Sequence, residues 1–322
     1  MTTYTKWTRE QDLLLLKTGT DEELQVLFPD VKLETLKRRK RMVKSQPTVS
    51  EGTALGLSGL ERVNFDTRNF NAYVVGDFQA PFHNQLATQA FKVLLEDTAD
   101  SIDVVINDGD HYDNFAVSSY SKDKRRGSVD NWKQEIEVGN SIFAGWRSVF
   151  DKDILLLKGN HEDRWDRYLN DQAPDKVREA AGDALDFDKV YGLDDYNIIT
   201  FPYMQPVLFG DVVITHGTRS NSTSPGSTAL KEIRQRFGTN VIVGHCHTGA
   251  MVTQRYIHGT AIGIENFTMA DLDGLGYSMF PNWLNGFTYL QVRNGKSYIQ
   301  PVVMHNNTFV FNGKLYTPQG VK

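Results

Sequence analysis

The sequence predicts an α/β fold that contains two β-sheets, and three observations lead to this prediction. Apolar, β-branched-rich segments alternate with helical patterns between about residues 72 and 161. From about residue 206 the helical patterns thin out, and strand patterns follow one another to about residue 304. Five of the predicted strands end directly in a short polar block. The alternation indicates a sheet with helices on its faces, and the strand-rich second half indicates another sheet, mostly antiparallel.

Composition and length are those of an ordinary globular protein. The 322 residues are 40% hydrophobic and 23% charged, which is enough to bury a core without disulfide bonds. The single cysteine, Cys246, excludes an internal disulfide and favours a reducing compartment. No segment resembles a signal region or approaches the roughly 20 apolar residues of a membrane span. We therefore expect a cytoplasmic protein without a membrane partner, and the oligomeric state stays open.

The first 45 residues differ from the rest in charge. They contain ten Lys or Arg and seven Asp or Glu, a net charge of about +3, which leaves about −8 for the remaining chain. Three short helices are predicted there, at about 8–17, 21–28 and 32–44, with Trp7 and Phe28 in a small core. The third helix carries the candidate contacts to nucleic acid, which are Lys37, Arg38, Arg39, Lys40 and Arg41.

This N-terminal pattern of Trp7, Thr8, Glu10, Asp12 and Leu15, followed by a basic third helix, resembles a Myb/SANT-type helix-turn-helix. The resemblance implies binding to nucleic acid. The alternative is a basic helical hairpin that docks to another protein. The next segment, 46–66, is rich in Ser, Thr and Gly and is predicted to be a linker, so that the main domain covers 67–322.

In the main domain the elements follow from hydrophobic periodicity and turn residues. Helices are predicted at about 84–97, at 130–148 and from 161. Strands are predicted at 72–76, 103–107, 154–158, 206–209, 211–215, 240–243, 251–256, 260–265, 286–293 and 297–304. Asn294-Gly295 and Asn312-Gly313 are typical of two-residue hairpin turns.

The polar blocks at the strand ends indicate a chemistry. They are Gly-Asp-Phe-Gln (76–79), Gly-Asp-His-Tyr-Asp (109–113), Gly-Asn-His-Glu (159–162), Thr-His-Gly (215–217) and Gly-His-Cys-His (244–247). Side chains at strand ends of one sheet can converge, and carboxylate, imidazole and amide oxygen are donors for Mn, Fe, Zn or Mg. The candidate metal ligands are Asp77, Gln79, Asp110, Asn160, His216, His245 and His247.

The order of these blocks resembles that of the calcineurin-like metallophosphoesterase superfamily over about residues 70–305. The resemblance implies a four-layer α/β/β/α sandwich, preceded in this chain by the small three-helix domain. It also implies two divalent metal ions at the sheet edges. One ion would be held by Asp77 and His247, the other by Asn160, His216 and His245, with Asp110 as the bridging ligand. His161 would face the phosphate and its leaving group, and Asp113 would orient His161.

Two positions depart from the family pattern. Gln79 stands where the family has histidine, which weakens the first site or tilts it toward Mn²⁺ or Mg²⁺; alternatively, Gln79 only hydrogen-bonds a ligand. Asn114 stands where the family often has arginine, and Arg164 or the basic segment 122–126 is the candidate replacement.

Two further histidines are candidates for substrate contact. His83 is expected at the mouth of the site, with a helix-capping role as the alternative. His111 lies between two site residues, Asp110 and Asp113, in the second block.

The resemblance implies a phosphoesterase that hydrolyses phosphate esters with a metal-activated water. Mn²⁺ is the first expectation for the metal, and Mg²⁺, Fe and Zn²⁺ are alternatives. The basic N-terminal segment favours nucleic acid as substrate, hence a nuclease or an end phosphatase. A phosphatase of proteins or small molecules, and a catalytically weakened DNA-binding or adaptor protein, remain alternatives. By analogy, a helix-turn-helix joined to such a domain is typical of phage and mobile-element proteins.

Overall fold

The computed structural model describes residues 11, 14, 15, 17–44, 63–118, 132–218, 224–257, 259–273 and 282–322. Trp7 and most of the predicted first helix lie outside these residues. The same holds for most of the predicted linker and for the basic segment 122–126. The side chain of Arg38 is also outside the described part of the chain.

The described N-terminal segment contains two helices, α1 (Asp21–Leu27) and α2 (Leu33–Lys44). Helix α1 begins with a capping box, in which Thr20 Oγ1 accepts from the Glu23 N–H and the Glu23 carboxylate accepts from the Thr20 N–H. A small apolar core joins the two helices to the segment before them, and it contains Leu15, Leu24, Phe28 and Leu36. The second and third predicted helices are therefore present with nearly the predicted bounds.

The main domain contains the predicted strands and helices with similar bounds, and it also contains elements that the sequence did not predict, at 175–181, 187–190, 198–201, 227–232, 309–311, 314–317 and 320–321. The strands are β1 (Phe70–Val75), β2 (Val104–Asn107), β3 (Asp153–Leu157), β4 (Ile198–Phe201), β5 (Val207–Phe209), β6 (Val212–Thr215), β7 (Asn240–Val243), β8 (Thr248–Tyr256), β9 (Gly259–Phe267), β10 (Gly286–Arg293), β11 (Lys296–Val303), β12 (Phe309–Phe311), β13 (Lys314–Thr317) and β14 (Gly320–Val321). The helices are α3 (Gln85–Thr98), α4 (Trp132–Arg147), α5 (Asp163–Gln172), α6 (Asp175–Ala181), α7 (Phe187–Val190) and α8 (Ser227–Glu232).

Two large sheets form from the described strands. The first has the order β11-β10-β1-β2-β3-β4, in which β1 to β4 run parallel. The second has the order β5-β6-β7-β9-β8, in which β6, β7 and β9 run parallel. The strands β12 to β14 form a small separate sheet. In both large sheets, parallel neighbours therefore end at a common edge.

The expectation of a second, mostly antiparallel sheet that includes 286–304 is wrong. Strands β10 and β11 join the first sheet, where β10 pairs antiparallel with β1, and the second sheet is mixed. The hairpin itself is as predicted, because Asn294 and Gly295 have φ of 51° and 73° at its two-residue turn. A turn signal identifies which two strands pair, but it does not identify the sheet that the hairpin joins.

Three apolar clusters separate four layers. Between the sheets, Val74 and Ile106 of the first sheet pack in one cluster with Ile214 and Ile242 of the second. On the outer face of the first sheet, a second cluster contains apolar side chains of α3 and α4. On the outer face of the second sheet, α8 and the π-helical turn after it form the third cluster. The order helix, sheet, sheet, helix confirms the predicted α/β/β/α sandwich.

Helix length and polarity bear on membrane association. None of the helices that the structure describes combines the length and the apolar character needed to cross a bilayer.

Candidate metal centre

The five polar blocks all lie where the parallel strands of the two sheets end. The first three follow β1, β2 and β3 in the first sheet, and the other two follow β6 and β7 in the second. Because the sheets pack face to face, these two edges meet. Residues far apart in the chain are thereby brought to one place, as the sequence predicts.

The backbone of the site is strained in a specific way. Five of the seven candidate ligands have φ between 49° and 66°, a region that few residues other than glycine adopt: Asp77, Gln79, Asp110, His245 and His247. Each such residue costs free energy, so the surrounding structure must stabilise the conformation. These left-handed residues lie in three of the five blocks, those after β1, β2 and β7, which is typical of backbone shaped by a functional site.

Asp110 lies at the centre of the cluster. Its Oδ1 accepts a hydrogen bond of 2.9 Å from the His161 N–H. Its buried Oδ2 finds no hydrogen bond of good geometry among the described residues, although His216 Nε2 lies 3.2 Å away. Ligand atoms of Asp110, His216 and His245 all lie within 4.8 Å of one another, so these three residues can hold a metal ion.

In the second predicted metal site, a hydrogen bond fixes the orientation of the His216 ring. Its Nδ1 donates to the Asp108 carbonyl at 2.9 Å, which leaves Nε2 as the ligating atom. Asn160 Oδ1 lies 3.1 Å from that same Nε2. The rings of His216 and His245 are 5.2 Å apart. Asp110, Asn160, His216 and His245 are therefore brought together.

The first predicted site gathers around Asp77. Asp77 Oδ1 lies 2.9 Å from His247 Nε2, and Asp77 Oδ2 accepts from the His245 N–H at 2.9 Å. The Gln79 side-chain amide lies 3.4 Å from His247 Nε2. The structure thus presents the amide nitrogen of Gln79 to His247, which is the geometry of a hydrogen-bonding partner, and a ligand role through the Gln79 carbonyl oxygen stays a prediction.

Electrostatics in the cluster suit a cation. Burial opposes ionisation of Asp110, but the nearby His161 and His216 hold its pKa well below the usual range. Burial would lower the pKa of His216, yet the Asp110 charge raises that pKa to about 10. Burial and the adjacent His216 lower the pKa of His245 to about 4. The cluster therefore retains a buried anion at Asp110 and a neutral imidazole at His245, and a bound metal ion would displace the additional ring proton of His216.

His161 lies beside the ligands with its orientation restrained. Its Nδ1 is 3.0 Å from Asp113 Oδ1, and its Nε2 is 3.6 Å from Asp110 Oδ2. Arg164 Nη2 lies 3.0 Å from His161 Nε2, and Arg164 Nη1 donates to the Asp113 carbonyl at 2.5 Å. The structure thus places the candidate pair His161 and Asp113 together and adds the guanidinium of Arg164.

Asn114 does not offer a phosphate contact. Its amide donates to the His161 carbonyl at 2.9 Å and its Oδ1 accepts from the Tyr191 hydroxyl at 2.5 Å. It is fully buried with φ of 51°. Asn114 therefore supports the loop that carries His161.

The expectation that His111 contacts substrate is wrong. The His111 ring is fully buried, Nε2 donates to the Gly139 carbonyl at 3.0 Å, and Nδ1 is 2.8 Å from the Asn107 amide nitrogen. The ring stacks on Phe143 at 3.9 Å. Both nitrogens are engaged and the ring faces the core, so it cannot reach a ligand.

His83 lies just before helix α3. It lines a surface cavity of about 530 Å³ with Asp271 and Asn307, and none of the candidate ligands lines that cavity. The helix α3 is capped by Asn84, whose side chain accepts from the Ala87 N–H. The helix cap is therefore Asn84 rather than His83, and the position of His83 at the mouth of the metal site stays a prediction.

Three buried polar residues that the sequence did not single out support the site. Glu162 accepts backbone N–H groups of Asp110, Tyr112 and Gly159, which ties the second block to the third. Asp108 orients His216 and accepts from Asn266 at 2.8 Å. Burial and the charge of Asp77 raise the pKa of Asp108 to about 8. Glu162 stands in the third block, so its position was a signal that could have identified it.

The basic residues of α2 are partly engaged within the N-terminal segment. Lys37 pairs with Asp21 at 2.6 Å, and Lys40 donates to the Thr18 carbonyl. Arg39 is half-buried and Arg41 is exposed. Of these residues, Arg41 is the one that the structure presents to solvent most clearly.

Comparisons with known proteins agree with the geometry. The family model described as calcineurin-like phosphoesterase matches residues 70–249. The Gene 54 protein of Mycobacterium phage D29 is 27% identical over 241 residues, which cover 71% of this chain and 92% of that protein. The Gene 54 protein of Mycobacterium phage L5 is 24% identical over 254 residues, which cover 76% of this chain and 97% of that protein.

Among solved structures, Vps29 of Chaetomium thermophilum is similar with a TM-score of 0.39 and 10% identity, over 77% of this chain and 99% of that one. The chain belongs to the calcineurin-like phosphoesterase family.

Proposed function

We propose that the protein is a divalent-metal-dependent phosphoesterase that acts on nucleic acid, as a nuclease or an end phosphatase. The observation that carries the proposal is the convergence of Asp110, His216 and His245 within 4.8 Å, beside His161. The single buried cysteine fits a reducing, cytoplasmic setting. The similarity to proteins of two mycobacteriophages supports a phage or mobile-element origin.

The residues present fit a pair of divalent cations. Asp77, Gln79 and His247 would hold one ion, Asn160, His216 and His245 the other, and Asp110 both. When bound, such ions neutralise phosphate oxygens and make a water acidic enough to attack phosphorus. Oxygen donors from Asp77, Gln79, Asp110 and Asn160 favour Mn²⁺ over the softer metals, with Mg²⁺, Fe and Zn²⁺ as alternatives.

Side chains of the protein are placed to assist departure of the leaving group. Asp113 lies at Nδ1 of His161, so Nε2 is the atom that meets the substrate. Nε2 accepts from Arg164 in this structure, so it holds a proton for the departing oxygen only once the guanidinium has turned to the phosphate. Arg164 lies 3.0 Å from that nitrogen and brings positive charge to the place where a phosphate oxygen arrives.

Charge supports nucleic acid over other phosphate esters. The N-terminal 45 residues carry about +3, whereas the rest of the chain carries about −8. A basic segment on an acidic body favours contact with a polyanion. The alternative of a catalytically weakened DNA-binding or adaptor protein is favoured by one observation, the Gln79 amide at 3.4 Å from His247.

Hydrolysis assays test the proposal. Bis(4-nitrophenyl) phosphate, single- and double-stranded DNA, RNA and a phosphopeptide are each incubated with Mn²⁺, Mg²⁺, Zn²⁺ or Ni²⁺. We expect the highest turnover with Mn²⁺ on a nucleic acid, and a loss of about 10²–10⁴-fold in His161→Ala with the metal content unchanged. His305→Ala, an exposed histidine outside the site, is the matched control. Equal turnover of His161→Ala and the parent protein contradicts the role of His161.

A further inference from the structure

Three aromatic rings, Trp132, Trp165 and Tyr168, form a stack that reaches from the core to the surface. Trp132 and Trp165 stack with centroids 4.7 Å apart and planes at 16°, and Trp165 and Tyr168 are 6.1 Å apart at 23°. Trp165 is buried, and its Nε1 donates to the Leu185 carbonyl at 2.8 Å. Tyr168 is 43% exposed. The stack therefore ends in one aromatic face that is rigidly backed and open to solvent.

This face lines a cavity that is linked to His161 through Arg164. The cavity has a volume of about 170 Å³, and its walls include Val117, Arg164, Arg167, Tyr168 and Asp171. Arg164 is the same residue whose Nη2 lies 3.0 Å from His161 Nε2. The volume is below the roughly 300–1,000 Å³ of a pocket that takes a whole drug-sized ligand. The cavity thus fits one unit of a larger substrate, and Arg164 connects it to His161.

The charges around the cavity argue against a second phosphate as its occupant. Arg167 Nε pairs with Asp163 at 2.8 Å, and Arg167 Nη2 donates to the Asn160 carbonyl. Arg164 contacts the Asp113 carbonyl and His161. Asp171 adds a negative charge to the wall. With both guanidinium groups engaged, the cavity suits a planar group that is polar but uncharged.

We propose that this cavity, lined by Tyr168, binds the base of the nucleotide joined to the scissile phosphate. The base stacks on Tyr168, and Asp171 and Gln172 lie on the cavity wall where they can hydrogen-bond its edge. A base can stack there only when it has left its own duplex, so the substrate is single-stranded or has an unpaired end. This inference rests on the proposed function, because it assigns a substrate class to the same site.

Binding of two matched trinucleotides tests the inference. One labelled DNA trinucleotide has three bases. The other has the same length and charge but carries an abasic residue in place of each of the three nucleotides. Fluorescence anisotropy is measured with the full-length protein, with Ca²⁺ in place of Mn²⁺ to slow hydrolysis. A phosphotyrosine peptide serves as a competitor, because a phosphotyrosine ring is the other planar occupant.

We expect the trinucleotide with bases to bind more tightly than the abasic one, and Tyr168→Ala to remove that preference, a loss of about 5- to 100-fold. Tyr168→Phe should retain it because the ring remains. Tyr298→Ala, which removes an exposed tyrosine on β11, is the matched control and should bind as the parent does.

Three results overturn the inference. They are equal binding of the two trinucleotides by the parent protein, an undiminished preference in Tyr168→Ala, and displacement by the phosphotyrosine peptide with no preference for bases. Failure of the proposed function is a separate observation: no metal-dependent hydrolysis of bis(4-nitrophenyl) phosphate or of any nucleic acid, with the preference for bases still present.

Discussion

Gln79 is the residue at which the metal centre departs from the pattern of its family. Its amide is 3.4 Å from His247 Nε2, whereas a histidine there would present a ring nitrogen to the same place. An amide oxygen is a weaker and harder donor than imidazole. The first site is therefore expected to bind metal less tightly than the site around His216.

Replacing Gln79 by histidine should strengthen that first site. We expect Gln79→His to raise its affinity for Zn²⁺ by about tenfold, the effect of roughly 1.4 kcal/mol from one better donor. Titration of metal-free protein against a competing chelator measures both affinities. Gln300→His on the exposed face of β11 is the control. Unchanged affinities in Gln79→His rule out Gln79 as a ligand.

His111 links the stability of the protein to pH. Burial lowers the pKa of His111 to about 3, below the value of about 6.5 in an unfolded chain. The unfolded state therefore binds the proton first, so the stabilisation is complete above pH 6.5 and is lost as the pH falls toward 3. Between pH 7.0 and 5.5 the loss should be about 1 kcal/mol.

Urea unfolding of metal-free protein at these two pH values measures this loss. In His111→Phe we expect lower stability at pH 7.0, because the hydrogen bonds of His111 to Asn107 and Gly139 are lost, and a fall with pH that is smaller by about 1 kcal/mol. His305→Ala should keep the full pH dependence. The same dependence in His111→Phe and the parent is incompatible with a neutral, buried His111.

At the residue scale, the sequence identifies the candidate metal ligands, but it does not show whether the residues next to them in the chain face the site or the core. Asp110 and His216 are recognisable because each directly follows a short apolar strand. His111, one residue further, looks equally available, but its ring is held by Gly139 and Phe143 of a helix distant in sequence. That contact exists only once the layers pack, so no local pattern reveals it.

At the scale of elements, the turns after the strands decide whether the ligands converge. Gly109 has φ of 115°, and a Cβ at this position would lie 2.4 Å from His216 Nδ1 and 2.8 Å from the Leu157 carbonyl oxygen. The turn between β2 and Asp110 therefore has room for glycine only. The hydrogen bond from His216 to Asp108 depends on that close approach.

A matched pair of glycine variants tests this requirement. We expect Gly109→Ala to lower the free energy of unfolding by about 2 kcal/mol or more and to weaken metal binding. Gly145→Ala, within α4, should be neutral or stabilising by up to about 1 kcal/mol, because its Cβ would meet only Lys92 Cδ at 3.9 Å. Urea unfolding and Mn²⁺ titration measure both. Normal metal binding by Gly109→Ala contradicts the requirement.

Element positions were largely predictable, whereas one element assignment was not. The predicted strands at 103–107 and 240–243 correspond to β2 and β7 within a residue, since each is a short apolar run between turn residues. The β10–β11 hairpin was assigned to the wrong sheet because its neighbour, β1, lies more than 200 residues earlier. Non-local pairing of this kind leaves no mark on the local sequence.

At the scale of the whole molecule, the four layers bring two sheet edges together and so create the centre. A separate basic N-terminal domain at 1–45, joined by a linker at 46–66, is a prediction that rests on the sequence alone. The described helices α1 and α2 have a small core of their own. Their role is proposed to be binding of nucleic acid rather than catalysis.

Charge reversal in the full chain tests that division of roles. We expect Arg38→Glu combined with Arg41→Glu to weaken DNA binding and to reduce its dependence on salt, by roughly 0.9 in the slope of log K against log salt for each lost phosphate contact. Hydrolysis of bis(4-nitrophenyl) phosphate should be unchanged. Arg255→Glu, on an exposed strand of the main domain, is the control. DNA binding that is insensitive to the double reversal contradicts the proposed role.

The most direct measurement is a crystal structure of the protein soaked in Mn²⁺, with the ions located by anomalous scattering. We predict two peaks about 3.5–4 Å apart, both within bonding distance of Asp110, one adjoining Asp77 and His247 and the other adjoining Asn160, His216 and His245. No peak in this cluster, or manganese bound only elsewhere, would contradict the assignment of a dinuclear metal centre to these strand ends.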